Sequence, residues 1–376
     1  MGGLGLQRLT GFEGVVSKAG YIAAASLAQK ALEGGHKSFM PLTTGSDLLN
    51  TYWNEVTAFG AMSEALSILD AHDVDILKKL QRSAGNCAKD KLHTQLLQKY
   101  EVQLDNDTTR VQAQEHLARL HSLQEGVGTC WLEVRPIKHQ WELDDATMKS
   151  ALRFMLGVSP GPRQNSSFNC TCGHQGSDSH HAMTCRQLQG LWTLRHDQIQ
   201  SKVQFGAAAA GHSSSIEPQE RHLKNLGFGD PGYGKRGDVL VSTVDDLLNI
   251  DVTVVHPASI SMRSRASGDP GFTTREAEKK KWRDHGVGAV GHTFVPFAIE
   301  TYGRLGVEAS KLLKEWAKTA GEADLMDRNS YLVWMKREIS VSLIKGNARM
   351  FRRYVGLLTR GVGQRYLSGD SHLNID

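Results

Sequence analysis

Two short apolar runs separated by a polar turn stand out along the chain: Asp238 to Val241 and Leu248 to Val255, within KRGDVLVSTVDDLLNIDVTVVHP. Their branched apolar residues predict a β-hairpin, with Ser242 to Asp246 as the turn. A turn centred on Val244 and Asp245 sets Val239 opposite Ile250, Val241 opposite Leu248 and Asp238 opposite Asp251. The apolar pairs then share one face of the hairpin and the two acids share the other. Opposed side chains in such a pair have Cβ atoms roughly 4.5–5.5 Å apart, so that both carboxylates can reach one divalent cation.

Most of the remaining chain carries helical periodicity. Residues 1 to about 160 read as a helical scaffold: Ala23 to Leu32 is alanine-rich, and Leu69, Ile76, Leu77 and Leu80, then Ala113, Leu117 and Leu120, form apolar stripes. Asp144 and Asp145 predict the cap of a helix through Met148, Leu152 and Leu156, ended by Gly157 and Pro160. Glycine, proline, serine and asparagine cluster from Ser159 to Ser167 and mark a boundary. Arg186 to Gly211 reads as a helix with Leu188, Leu191, Ile199 and Val203 on its apolar face, and His196 within it as a capped or core-edge histidine. Beyond the hairpin, Ser259 to Phe272 reads as a mobile loop and Thr274 to His285 as a charged helix with Glu276 and Lys280 as a surface pair. Thr293 to Thr301 reads as a strand that Pro296 confines to an edge or a bulge. Helices close the chain, the first with Val307, Leu312, Leu313 and Trp316 as its stripe.

Composition bounds this picture without sharpening it. A chain of 376 residues accommodates two or three domains, and a net charge of +4 neither requires nor excludes a nucleic-acid partner. No apolar run approaches the roughly 18 residues of a membrane span, and the start lacks a basic stretch followed by an apolar core, so the protein reads as intracellular with no membrane partner. The distribution of charge says more. From Lys336 to Arg365 there are eight basic residues against one acid, Glu338, and Lys345, Arg349, Arg352 and Arg353 are candidate contacts to nucleic-acid phosphates.

Two groups of residues carry candidate chemistry. Cys170, Cys172, Cys185 and one of His180 or His181 form a C-x-C-x7/8-H-x3/4-C set, with His181 the favoured ligand. Four N and S ligands suit tetrahedral Zn²⁺, and a closed set of this kind is structural because no position remains for a substrate. The acid pair suits Mg²⁺, which accepts hard oxygen ligands and keeps open positions for water and a phosphate oxygen. That chemistry is metal-assisted phosphodiester hydrolysis, with Asp238 and Asp251 as ligands, Glu217 as a candidate third acid, the Val252 carbonyl as a further ligand, and one of Lys279, Lys280 or Lys281 placing the attacking water.

The order of these features resembles the carboxy-terminal part of non-LTR retrotransposon polyproteins. The resemblance rests on the Cys-Cys-His-Cys knuckle, a basic residue before Asp238, twelve residues between it and Asp251 in IDVTVV, and the lysine-rich helix that comes next. GGLGLQRL at the start is similar to the stretch after the polymerase palm in such proteins, and FVPFAIETYGRLG and SLIKGNARMFRR are similar to further stretches of the family. The resemblance implies an α+β chain. Residues 1–160 would correspond to a post-palm or thumb segment, 161–190 to the zinc knuckle, and 191–376 to a restriction-like endonuclease of the PD-(D/E)xK class with basic terminal helices. It further implies that Asp238 and Asp251 bind the metal, that the knuckle helps hold DNA or RNA, and that the enzyme works in the nucleus, nicking target DNA to prime a reverse transcriptase. The chain has no Y-x-D-D run, so the resemblance implies a fragment of such a polyprotein, a stand-alone nuclease derived from one, with the reverse transcriptase supplied by another chain, or a decayed relic. Two positions depart from the pattern: Gly237 stands where proline is expected, and Thr253 where the lysine is expected, which moves that role to Lys279–Lys281. Two other readings stand beside the enzyme: a remnant that binds nucleic acid with idle acids, and a structural protein with zinc as a staple.

Overall fold

An isolated hairpin is marginal in water, so the predicted one needs further strands or a helix against its apolar face. The computed structural model describes residues 93–158, 168–174, 179–216, 237–286, 293–360 and 364–365. The chain divides between Lys99 and Tyr100 into two units, and the elements named here belong to the second. In order they are α1 (Asp107–Gln124), α2 (Asp145–Met155), β1 (Phe168–Cys170), α3 (Gln189–Ala209), β2 (Ser213–Ile216), β3 (Val239–Ser242), β4 (Leu247–Val255), α4 (Phe272–Lys281), β5 (Thr293–Glu300), α5 (Val307–Glu322), α6 (Arg328–Val355), β6 (Leu358–Arg360) and β7 (Gln364–Arg365).

The hairpin forms in the expected register. Val239 pairs with Ile250 and Val241 with Leu248, and the Thr243 N–H bonds to the Asp246 carbonyl across the turn. The sheet is mixed, in the order β2-β3-β4-β5, antiparallel except for the parallel pair β4-β5. β5 lies at the sheet edge, where Pro296 costs no ladder bond on its outer side. Val239, Val241, Ile250 and Val252 are fully buried beneath Ile199 and Val203 of α3, Leu313 and Trp316 of α5, and Tyr331 and Met335 of α6. Burying a side chain of this size contributes roughly 1.5–3 kcal/mol. α4 joins β4 to β5 and packs on both strands. The fold is therefore α+β, a four-stranded mixed sheet flanked by helices.

α6 is the spine of this unit. Asp327 caps it by accepting from the Ser330 N–H at 2.9 Å. Its 28 residues are buried on nearly all sides from Glu338 to Ile344, and they supply three cores in succession. Tyr331, Met335, Ile339 and Leu343 join the sheet core. Val341, Ile344 and Ala348 pack with Trp131, Ala151 and Met155, and Met350, Phe351 and Tyr354 pack with the cysteine region. α2 keeps to the expected pattern: Asp144 accepts from the Thr147 N–H at 2.6 Å, and Gly157, at φ +66°, lies just past the helix end. The stripe Ala113, Leu117 and Leu120 is the buried face of α1.

Two expectations need correction. Ser259 to Phe272, expected as a loop, contains the helical turn Arg263–Ala266, which the Arg263 guanidinium ties to Glu115 at 3.0 Å while Ala266 packs on Ala118. Glu276 pairs with Lys279 at 2.9 Å and not with Lys280, which reaches Asp284 at 3.6 Å; on a helix both i+3 and i+4 are neighbours, and spacing alone does not choose. The stripes at Ala23–Leu32 and Leu69–Leu80 lie outside the described residues. No helix among the described residues is long and apolar enough to cross a membrane.

The end of β5 carries a pH-sensitive element. Glu300 is 2 % exposed, and burial pushes its carboxyl up to about 7, although the Arg304 guanidinium acts the other way. A folded-state value above the unfolded one stabilises below about 4.5, and that contribution is lost as pH rises through about 7. Unfolding by urea should show the wild type losing ~3 kcal/mol across this window relative to Glu300→Gln. Parallel pH profiles for the two proteins would contradict this assignment.

Candidate functional site

β4 is longer than its antiparallel partner. The β3 ladder begins at Val239 opposite Ile250, which leaves the β3-facing edge of β4 open from Asp251 onward. Backbone groups on such an edge need partners. Asp238 and His196 supply them: the Val252 N–H donates to Asp238 Oδ2 at 2.6 Å, and the Val252 carbonyl accepts from His196 Nε2 at 3.1 Å. His196 reaches this place from α3. One turn further along the same helix, the Gln200 side chain donates to the Asp238 carbonyl at 2.7 Å and fixes the start of β3.

The same construction brings the two acids together. The Asp238 and Asp251 carboxyl groups lie within hydrogen-bonding reach of one another, with Asp251 buried and Asp238 half-buried. Two carboxylates so placed repel, and each has a cation beside it. His196 Nε2 lies 3.0 Å from Asp238 Oδ2, and its Nδ1 lies 3.1 Å from Asp197 Oδ1, so that both ring N–H groups face carboxylates. The bond to Asp238 raises the imidazole to about 9, which makes it a cation at neutral pH. Burial pushes the Asp238 carboxyl up, but His196, the Val252 N–H and the Asp251 contact together more than offset it and the group stays below the usual range. Lys281 donates to Asp251 Oδ1 at 2.8 Å and Oδ2 at 3.0 Å.

Of the three candidate lysines the structure therefore brings one to the acids. Lys281 ends α4 on the stripe that includes the buried Thr274 and Glu278, whereas Lys279 and Lys280 are exposed and paired with Glu276 and Asp284. Sequence reasoning did not place His196 in the site. Its available signal was position: it shares a helix face with the buried Ile199 and Gln200. Glu217 lies outside the described residues.

Gly237, where the resemblance would put a proline, has no room for a side chain. A Cβ at this position would stand 1.8 Å from Asn249 Oδ1 and 3.0 Å from the Ile250 carbonyl oxygen. Proline has that carbon too.

The cysteines form a second constellation. Cys170, Cys172, His181 and Cys185 present ligand atoms that all lie within 4.8 Å of one another. Cys170 Sγ is 3.7 Å from Cys185 Sγ, and Cys172 Sγ is 3.2 Å from His181 Nε2. Each sulfur accepts a backbone N–H from two residues further on: Cys172 for Cys170, His174 for Cys172 and Gln187 for Cys185. Such bonds stabilise thiolate, the form that ligates metal. Without metal, burial pushes the Cys170 thiol up to about 12; Cys172 feels the same desolvation, yet its N–H and thiol partners hold it below the ordinary value. Three sulfurs and one imidazole nitrogen at this spacing fit a metal such as zinc. His180 is turned elsewhere, 3.3 Å from the Tyr302 hydroxyl. The buried Cys170 and Cys185 belong to the core formed with Phe351 and Tyr354 of α6, and β1 pairs with β6.

The basic candidates separate. Lys345 spends its ammonium on the Gln140 carbonyl at 2.8 Å. Arg349 and Arg353 are exposed and Arg352 is half-buried, on the part of α6 whose other face packs under the cysteines, and none makes an ion pair among the described residues. A groove of about 510 Å³ is lined by Met183 and Thr184, from the turn just before Cys185, and by His196, Val252 and Lys281, which contact the two acids.

Compared with known proteins, the chain matches no family model and no curated sequence. The geometry alone speaks for the site.

Two outcomes are expected from it. Elemental analysis should find one zinc per chain, lost in Cys172→Ser and in His181→Ala but retained in His180→Asn; loss in the last variant alone would reassign the ligand. Gly237→Ala should cost about 1–3 kcal/mol in denaturant unfolding, as overpacked sites do. Part of that loss should return when Asn249→Ala is added, and a neutral Gly237→Ala would contradict the crowding.

Proposed function

We propose that this chain is a metal-dependent DNA endonuclease derived from a non-LTR retrotransposon, with a PD-(D/E)xK-like site at Asp238, Asp251 and Lys281. The observation that carries the reading is the meeting of these three side chains beside Val252, from the residue just before β3, from β4 and from the end of α4. The oxygens of Asp238, Asp251 and Val252 are the hard donors that Mg²⁺ takes. A bound Mg²⁺ would polarise the scissile phosphate and acidify the attacking water. Asp238 and Asp251 hold that site, and their shared burial fixes its position. Lys281 supplies a proton donor and a positive charge next to Asp251, where it orients water and offsets charge building on the phosphoryl oxygens. His196 keeps Asp238 and the Val252 carbonyl in place until the metal is bound. The Cys170–Cys172–His181–Cys185 knuckle, holding zinc, and the exposed Arg349 and Arg353 grip the backbone of DNA, or of RNA carried with it. A reverse transcriptase partner would use the 3′ hydroxyl that nicking exposes, which places the reaction in the nucleus.

One observation favours a second reading. His196 and Lys281 already neutralise both acids, and the site is complete as a set of ion pairs. A binding protein with idle acids would look the same.

Conversion of supercoiled plasmid to open circle separates the two. Zinc-loaded wild type should nick in Mg²⁺, Asp251→Asn should lose all detectable nicking, and Lys281→Met should lose at least ~100-fold, the range of a lost general acid or electrostatic donor. Lys279→Ala and Lys280→Ala should stay within about threefold of wild type. Binding without nicking by folded wild type, in Mg²⁺ or Mn²⁺, would leave the idle-acid reading.

A further inference from the structure

The groove beside His196 and Lys281 has a wall that the proposed chemistry does not use. Arg195, Trp192 and His256 line it. Arg195 is 4 % exposed, and no carboxylate pairs with it among the described residues. Its guanidinium donates from Nη1 to Asn347 Oδ1 at 2.8 Å and to Met183 Sδ at 3.5 Å, while its Nε is buried without a partner. A buried cation with no counter-charge is costly, and proteins keep few of them without a ligand. His256 is 7 % exposed and lies close enough to Arg195 to feel its charge. Its Nδ1 is 2.7 Å from the Thr301 hydroxyl, and its Nε2 is buried with no partner. Trp192 is half-buried, and its indole N–H is likewise without a partner. Burial, and after it His180 and the Arg195 charge, keep His256 neutral. The wall thus carries two N–H donors without partners, Arg195 Nε and the Trp192 indole, beside one positive charge, and His256 Nε2 is a third in the tautomer whose Nδ1 accepts from Thr301.

We propose that Arg195, His256 and Trp192 form a phosphate subsite that seats a backbone phosphodiester of the nucleic acid next to the scissile one. The inference rests on the nuclease reading for the identity of its ligand. A phosphodiester brings the missing negative charge and acceptor oxygens, and a guanidinium is the side chain best matched to them. His196, adjacent to Arg195 on α3, fixes Asp238, so one helix would hold both the strand and the first acid. Asn347 orients Arg195 from α6 and donates to the Thr301 carbonyl at 2.6 Å, which ties the subsite to the end of β5.

The test is the salt dependence of binding to a fluorescently labelled 20-base-pair duplex, by anisotropy, with zinc-loaded full-length chain and no added Mg²⁺. Arg195→Met should weaken binding about tenfold at 100 mM salt and lower the slope of log K against log salt by about one, the signature of one lost phosphate contact. A purely structural role would lower the melting temperature and leave that slope intact. Arg195 is buried, so Trp192→Phe provides a milder probe that deletes a single N–H; it should weaken binding two- to fivefold with the slope unchanged. Wild-type affinity and slope in folded Arg195→Met would overturn the subsite, and if that variant does not fold, wild-type affinity in Trp192→Phe would do so. Nicking by a wild type whose binding ignores Arg195 removes this inference alone. Arg195-dependent binding with no nicking removes the nuclease and keeps the phosphate site.

Discussion

Two carboxylates held side by side in a poorly solvated corner are the constraint on which the rest of the site depends. Asp238 and Asp251 are brought together by strand register, and their repulsion has to be met by positive charge. In the protein as it stands, His196 meets it from α3 and Lys281 from α4. Both helices therefore have positions fixed by electrostatics as well as by packing. The open edge of β4 adds a second demand, since the Val252 N–H and carbonyl need partners where β3 has ended. Asp238 and His196 answer both demands at once. Under the proposed function a divalent ion would take over the charge that the imidazolium supplies, leaving Lys281 for the substrate.

α6 explains how the distant cysteine and histidine cluster bears on this corner. Its residues pass through three cores, so the knuckle, the helical region before it and the sheet are packed against one rod. Glu338 shows how tightly the rod is held. It is 1 % exposed and accepts from Trp141 at 3.0 Å and Lys202 at 2.8 Å, joining the segment before α2 to α3. The turn just before Cys185 thereby reaches the groove beside His196 and Lys281: Met183 and Thr184 line it, and Met183 touches the Arg195 guanidinium.

Much of this was legible in the sequence because it depends on periods and caps. The hairpin register came from a period of two and a turn of known length, the α2 cap from an aspartate placed before a helical stripe, and the cysteine and histidine cluster from ligand spacing, which left His180 and His181 both open. What failed has a common cause. Lys279, Lys280 and Lys281 differ by about 100° of helix rotation each, and only the buried face of α4 selects among them. Glu278 lies on that face but is charged, so no apolar stripe pointed to it. His196 was passed over because its partner, Asp238, is 42 residues away and the pairing exists only once α3 lies across the end of β3. The short Arg263–Ala266 turn has no periodicity to detect; the ion pair to Glu115 makes it.

The central claim is that the acid pair is a divalent-cation site in which His196 stands in for the metal. Calorimetric titration of Mn²⁺ into zinc-loaded protein tests this without recourse to any substrate. The account predicts saturable binding of Mn²⁺ by the wild type, abolished in the Asp238→Asn, Asp251→Asn double variant while the zinc content stays at one per chain. Equal heats in the two proteins, or no binding in a folded wild type, would contradict it and leave the two carboxylates as members of a permanent ion-pair network.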